Sequence, residues 1–126
     1  MQKYIKLLIW TLVIFYICLS PSDEIPKTKL FEIPYFDKMV HFGIYFIFTL
    51  IFTSILQSKN YSHQKIFITN IVITILFGSL IEVLQYYLPI DRSADLYDFI
   101  ADLSGTLAAV FIHLNTKISN YIHKLI

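Results

Sequence analysis

The chain contains one long apolar stretch at residues 66–88, which reads IFITNIVITILFGSLIEVLQYYL. Its length suits a helix that crosses a bilayer, because a membrane span needs about 20 predominantly apolar residues. The stretch nevertheless contains Glu82, and Gln85 follows one helical turn later. An ionisable side chain costs about 2.5–3.5 kcal/mol near the centre of a membrane helix on insertion scales. We therefore expect that Glu82 is retained because the region around it has a function.

The composition of the whole chain also indicates a membrane environment. Of its 126 residues, 56% are hydrophobic and 15% are charged, and the mean hydropathy is +0.64. Soluble domains usually contain about 25% charged residues. The net charge of +1 provides no basic field of the kind that attracts nucleic acid, so we expect no nucleic-acid partner. Cys18 is the single cysteine, and the chain therefore forms no intrachain disulfide.

Three further apolar segments, at residues 4–19, 39–56 and 97–114, have membrane-helix character. Lipid requires each segment to satisfy its own backbone hydrogen bonds, and the segments are too long for the strands of a barrel. The sequence predicts an all-α membrane protein, a single domain over residues 1–126 with four transmembrane helices and both termini on the same side. Residues 115–126 carry apolar side chains at helical spacing, which predicts a short amphipathic helix on the membrane surface.

The distribution of Lys and Arg predicts the orientation in the membrane. The first segment lacks the small residues of a signal-peptide cleavage site, so we expect an uncleaved helix. With the N-terminus inside, six basic residues fall on the cytoplasmic side and four on the outer side. Cytoplasmic loops carry an excess of Lys and Arg. This bias predicts a multi-pass protein of the cytoplasmic membrane with both termini in the cytoplasm.

The unusual polar residues converge at one end of the predicted bundle. Asp37 and His41 are four residues apart, as are His41 and Tyr45, and such residues share one helical face. A second stripe runs through Asp98 and Asp102 to Gly105, where a glycine lets a neighbouring backbone approach closely. We predict a polar cluster between the second, third and fourth helices that opens to water at one membrane face. Its members are Asp37, Lys38, His41, Tyr45, Glu82, Gln85, Arg92, Asp98 and Asp102.

Several of these residues have a structural alternative. Glu82 is also placed to form an ion pair with Arg92, and Asp98 to cap the fourth helix, where the helix dipole favours a carboxylate. Asp102 is also placed to be protonated or to hydrogen-bond a neighbouring helix. One His among carboxylates matches no known spacing of metal ligands. We therefore expect neither a metal nor a cofactor.

Two blocks of residues resemble a known family. The run DKMVHF at residues 37–42, with Tyr45 after it, resembles the D-K-x-x-H-F-x-x-Y opening of VanZ-like membrane proteins. The second block resembles the family's E-x-x-Q-x-x-x-P-x-x-R and its following D, and it consists of Glu82, Gln85, Pro89, Arg92 and Asp98. Gly105 falls where the family has a glycine in its last helix. The chain departs from the family at Asp102, where asparagine is usual, and at Ala109, where a second glycine is common.

The resemblance implies a small protein of the bacterial inner (cytoplasmic) membrane with its polar cluster toward the cell envelope. The family's named member is associated with low-level resistance to the glycopeptide teicoplanin, and its biochemical mechanism is poorly defined. Membrane lipids are therefore the expected partners. A lipid-linked envelope precursor and a lipoglycopeptide are the more specific candidates.

Three functions stay open at this point. The first is binding of an anionic lipid headgroup, a lipid-linked precursor or a lipoglycopeptide, with Lys38 and Arg92 as cationic donors. The second is a membrane-embedded acid/base enzyme, in which His41 is oriented by Asp37 or Asp98 and Glu82 is a buried acid. The third is a small proton-coupled carrier or a scaffold. Four helices are few for a carrier, so this function requires a homo-oligomer.

Overall fold

A computed structural model describes residues 1–21, 33–90 and 94–115 of the chain. Within these ranges it consists of four helices and contains no strand. They are α1 (Gln2–Leu19), α2 (Phe36–Ser58), α3 (His63–Tyr87) and α4 (Leu96–Leu114). All four are long and apolar enough to cross a membrane, which confirms the predicted all-α class. The side on which the termini lie stays a prediction. The predicted tail helix falls, apart from Asn115, outside the described residues.

The second helix begins three residues earlier than predicted, at Phe36. The chain turns at Tyr35, whose φ of 63° lies in the left-handed region, and the helix starts directly after it. Asp37 stands in the first turn, where the unpaired backbone N–H groups of a helix favour a carboxylate. Asp37 and Lys38 therefore belong to α2 and not to the loop before it.

Capping residues define where the other two helices of the cluster begin. Ser62 Oγ accepts a hydrogen bond from the Lys65 backbone N–H, so α3 starts at His63, again three residues earlier than predicted. Asp95 Oδ1 accepts from the Tyr97 backbone N–H at 2.8 Å, which starts α4 at Leu96. Asp95 thus begins the helix that carries Asp98 and Asp102.

The bundle is organised around α2, which makes its most extensive contact with α4. Gly105 permits this contact, because a Cβ at that position would clash with the carbonyl oxygen of Phe42 on α2. On its other side α2 packs against α1, where Trp10 Nε1 donates to the Ile44 carbonyl oxygen at 2.8 Å. The apolar core is formed by Ile14, Cys18, Ile44, Tyr45, Phe48 and Ile81.

A buried threonine–asparagine layer joins α2, α3 and α4 in the part of the bundle away from Lys38. It consists of Thr49, Thr53, Asn70, Thr74 and Thr106. Thr106 Oγ1 accepts from Thr49 Oγ1 at 3.2 Å and shares a 2.8 Å hydrogen bond with Thr74 Oγ1. Asn70 Nδ2 donates to Thr53 Oγ1 at 3.0 Å. Hydrogen bonds between membrane helices contribute about 0.6 kcal/mol each on average, so this layer helps to fix how the three helices face one another.

Candidate functional site

Three carboxylates surround the ammonium group of Lys38. Its Nζ lies 2.6 Å from Asp37 Oδ2, 2.5 Å from Asp95 Oδ2 and 2.8 Å from Asp98 Oδ1. Lys38 belongs to the first turn of α2, and Asp95 and Asp98 belong to the start of α4. The hydrogen bond from Lys38 is the largest of the effects that hold the pKa of Asp95 below its ordinary value. These contacts fasten the beginnings of α2 and α4 together.

The same three carboxylates are close enough to share a cation, since one oxygen of each lies within 4.8 Å of the others. Oxygen ligands of this kind suit hard cations such as Ca²⁺ and Mg²⁺. Here, however, the Lys38 ammonium contacts all three and supplies the positive charge itself. The closeness of these three carboxylates therefore does not by itself indicate a metal site.

His41 lies one helical turn further into the bundle, between two carboxylates of α4. Its Nδ1 is 2.9 Å from Asp102 Oδ1, and its Nε2 is 3.8 Å from Asp98 Oδ2. Asp98 and Asp102 are four residues apart, so α4 presents both from one face. The acid hydrogen-bonded to His41 is therefore Asp102, whereas the sequence hypothesis named Asp37 or Asp98. The side chain of Asp37 is engaged instead by Lys38.

Exposure to solvent falls along the cluster from its outer end to its inner end. The exposed fraction of the side chain is 49% for Asp37, 21% for Lys38, 11% for Asp98, 4% for His41 and 1% for Asp102. Water can screen the outer charges, while the inner charges depend on one another for compensation. The cluster is thus a continuous path of ionisable groups from the bundle end into its interior.

Glu82 reaches the same cluster from α3. Its Oε2 accepts a hydrogen bond from the Asp95 backbone N–H at 2.8 Å, which joins α3 to the start of α4. This bond brings Glu82 into electrostatic range of Asp98, His41 and Asp102. The partner predicted from sequence, Arg92, lies outside the described residues. Within the described ranges the second carboxylate oxygen of Glu82, Oε1, is buried and has no hydrogen-bond partner.

Gln85 and Tyr45 lie on the side of the cluster that faces α1. Gln85 Nε2 donates to the Cys18 carbonyl oxygen at 2.9 Å, so this side chain ties α3 to α1. Tyr45 is fully buried, and its ring packs against those of Phe48 and Phe77. Tyr45 Oη and Gln85 Oε1 have no hydrogen-bond partner in the part of the chain that the structure describes. Tyr45 lies about two helical turns beyond Lys38 along α2, whereas Gln85 lies in the last turn of α3.

The threonine–asparagine layer was not predicted from the sequence, nor was a partly buried pair beyond it, in which His113 Nε2 donates to Gln57 Oε1 at 2.8 Å. A signal for them exists. On α2 the spacing of four residues from His41 to Tyr45 continues through Thr49, Thr53 and Gln57. Threonine is easily overlooked because its hydroxyl can bond the backbone of its own helix. Only the regular repeat along a buried face shows that these side chains point toward neighbouring helices.

The family model described as VanZ/LLP1 matches residues 3–117. This range includes the four helices, apart from Gln2 at the start of α1, and every residue of the predicted polar cluster. No curated protein and no solved structure is detectably similar to the chain. The family match covers most of the sequence, and the structure provides four helices of membrane-spanning length. The chain is therefore a multi-pass membrane protein that belongs to the VanZ/LLP1 family.

Proposed function

We propose that this protein binds the polar headgroup of an amphiphilic molecule of the bacterial cell envelope. The observation that supports this function is the continuous path of ionisable side chains from the half-exposed Asp37 to the fully buried Asp102. A single ion pair would be enough to fasten α2 to α4. A longer path suits a headgroup that enters from the membrane boundary. The outer surface of the bundle is apolar, so the hydrocarbon chains of the same molecule can stay along the helices.

Three classes of ligand combine a polar head with an apolar tail in this way. They are a lipid headgroup, a lipid-linked envelope precursor and a lipoglycopeptide. An anionic head, held by Lys38 and Arg92, is one form of this proposal. Such a head would compete with three carboxylates for the Lys38 ammonium. His41 and Glu82 would orient the bound group.

We place this site at the outer face of the cytoplasmic membrane, with both termini in the cytoplasm. The excess of Lys and Arg in the loops on the other side supports this orientation. A site on the envelope side can be reached by envelope precursors and by glycopeptides. An altered susceptibility to glycopeptides is the cellular phenotype that this location suggests.

Photo-crosslinking with lipids that carry a photoreactive headgroup tests the proposal. We expect labelling to concentrate on the peptides around Lys38 and Asp95 and to change in the Asp98→Asn protein. For an anionic head it should rise in Asp98→Asn, because one competing carboxylate is lost, and fall in Arg92→Ala. Ser104→Ala is the matched control on α4, because Ser104 is exposed and its hydroxyl bonds the backbone of its own helix. Labelling spread evenly along the outer helix surfaces, and unchanged in Asp98→Asn, would refute headgroup binding at this site.

The contact between His41 and Asp102 favours a second candidate, an acid/base enzyme that acts on a lipid or an envelope precursor. A carboxylate that accepts from Nδ1 fixes the imidazole and makes its Nε2 the more basic nitrogen. Glu82 lies in electrostatic range as a second titratable group. Lipid extracts of cells that express the wild-type and the His41→Gln protein provide the test. Identical lipid and precursor profiles in the two strains would eliminate this candidate.

A further inference from the structure

The polar cluster carries more negative than positive charge. Its carboxylates are those of Asp37, Glu82, Asp95, Asp98 and Asp102. Against them stand Lys38 and, when it is protonated, His41. Asp91 and Arg92, outside the described residues, have opposite charges and leave this difference unchanged. When all five carboxylates are ionised, this uncompensated charge close to a membrane interior is costly, and a ligand that brings positive charge would offset it.

The buried oxygen atoms of the cluster also favour a positively charged ligand that donates hydrogen bonds. Four of them have neither a hydrogen-bond partner nor an ion-pair partner among the described residues: Tyr45 Oη, Glu82 Oε1, Gln85 Oε1 and Asp102 Oδ2. The amide oxygen and the ionised carboxylate oxygens can only accept hydrogen bonds. A buried polar atom left without its partner costs about 1–3 kcal/mol. The amide oxygen and the two carboxylate oxygens need a donor, which a phosphate or a carboxylate does not supply, whereas the Tyr45 hydroxyl can donate or accept.

Three of these oxygens belong to side chains that lie around one region beside His41. Asp102 Oδ2 points toward α3, because a Cβ built on Gly78 would lie 3.3 Å from it. Glu82 follows Gly78 by one helical turn and interacts electrostatically with Asp102. Tyr45 follows His41 by one helical turn on α2 and is fully buried. The absence of a side chain at Gly78 lets α3 approach α4 closely, since an added Cβ would also lie 3.1 Å from the ring of Phe99.

We infer that the group recognised by this site is a primary ammonium on the headgroup of an amphiphile, an inference that rests on the proposed function. An ammonium is compact and provides one positive charge with three N–H donors. Lys38 demonstrates that such a group fits among these acids, since its own ammonium contacts three carboxylates at 2.5–2.8 Å. The ligand's ammonium would lie further inside, between Glu82 and Asp102, and donate to their unpartnered oxygens.

Lipid binding to the full-length protein in nanodiscs tests this inference with three lipids of identical acyl chains. Phosphatidylethanolamine has a primary ammonium, phosphatidylcholine has a cation without N–H donors, and phosphatidylglycerol has no cation. We expect a preference of about tenfold for phosphatidylethanolamine over the other two, which corresponds to about 1.4 kcal/mol. Glu82→Gln and Asp102→Asn should each reduce this preference, whereas Ser104→Ala should leave it unchanged.

Competition with soluble ethanolamine distinguishes the two sources of an ammonium. Displacement of the lipid by ethanolamine would show that the site also takes a free amine, whereas no displacement would restrict it to the membrane lipid. Variant-sensitive preference for phosphatidylglycerol would overturn the ammonium inference and leave headgroup binding intact. Equal retention of the three lipids, unaffected by either variant, would overturn both. Because Asp102→Asn can also weaken the fold, the thermal unfolding of each variant is measured beside its binding, and Glu82→Gln provides the independent test.

Discussion

His41 Nδ1 on α2 lies 2.9 Å from Asp102 Oδ1 on α4, and both side chains are almost completely buried. Each side chain therefore provides the hydrogen-bond partner that the other needs inside the bundle. The resemblance to VanZ-like proteins leads one to expect an asparagine at position 102, which would hydrogen-bond the imidazole without a charge. The aspartate in this chain places a carboxyl group in this contact instead of an amide.

Removing the carboxylate of Asp102 should destabilise the bundle. Loss of one partner of a buried ion pair typically costs about 3–5 kcal/mol, and we expect Asp102→Ala to fall in this range. Asp102→Asn should cost less, because an amide oxygen can still accept from Nδ1. Denaturation in detergent, followed by circular dichroism, measures both changes. Ser104→Ala, on the exposed face of the same helix, is the control, and an unfolding curve of Asp102→Ala that matches it would contradict the role assigned to this pair.

Gly105 and Gly43 provide a matched pair of substitutions on facing helices. A Cβ at Gly105 would clash with the Phe42 carbonyl oxygen, whereas a Cβ at Gly43 would meet no atom within 4 Å. We expect Gly105→Ala to destabilise the protein by about 1–3 kcal/mol, the usual cost of overpacking. Gly43→Ala should be neutral or stabilising, by up to about 1 kcal/mol, because alanine has the higher helix propensity. Thermal unfolding of the two variants side by side makes the comparison. The same effect at both positions would disprove the close contact of α2 with α4.

Thr106 is the residue of the threonine–asparagine layer that contacts both other helices. Thr106→Val keeps the shape of the side chain and removes its hydrogen bonds with Thr49 and Thr74. We expect a loss of about 0.6–1.7 kcal/mol for each bond, as for other membrane helices. Thr11→Val is the control, since the Thr11 hydroxyl bonds the Leu7 carbonyl oxygen of its own helix. Equal unfolding temperatures for the two variants would show that the layer does not hold the helices together.

The four helices could be predicted from the sequence because the length of an apolar segment determines whether it can span a membrane. The predicted starts of α2 and α3 lie three residues after the observed ones, and the reasons are local. The left-handed turn at Tyr35 and the cap at Ser62 begin these helices within polar residues, before the apolar run starts. Hydropathy detects the apolar run and not the cap.

The partners within the site could not be predicted from spacing alone. Glu82 and Gln85 are three residues apart, so about 60° separates them around a helix of 3.6 residues per turn. This difference directs Glu82 toward α4 and Gln85 toward α1. Similarly, a shift of one turn between α2 and α4 would exchange Asp98 for Asp102 as the partner of His41. The spacing of residues along one helix does not show how far a neighbouring helix is shifted along the axis of the bundle.

The pH dependence of stability provides a test of the contact between Lys38 and Asp95. The Lys38 ammonium holds the pKa of Asp95 below its ordinary value of 3.8. The folded protein therefore binds a proton at Asp95 less readily than the unfolded chain does. This contribution to stability is complete above the unfolded-state pKa and is lost as the pH falls through the lower folded-state pKa.

Asp95→Asn should make the unfolding temperature less sensitive to acid. The amide keeps an oxygen that can cap α4 by accepting from the Tyr97 backbone N–H, as Asp95 Oδ1 does now, but it has no charge for Lys38 to stabilise. Unfolding temperatures recorded from about pH 6 to pH 3 should thus fall less steeply for the variant than for the wild-type protein. Asp37 and Asp98 also contact Lys38, so part of the slope should remain. Ser104→Ala should retain the wild-type profile, and an Asp95→Asn profile parallel to it would mean that the ion pair does not contribute to stability.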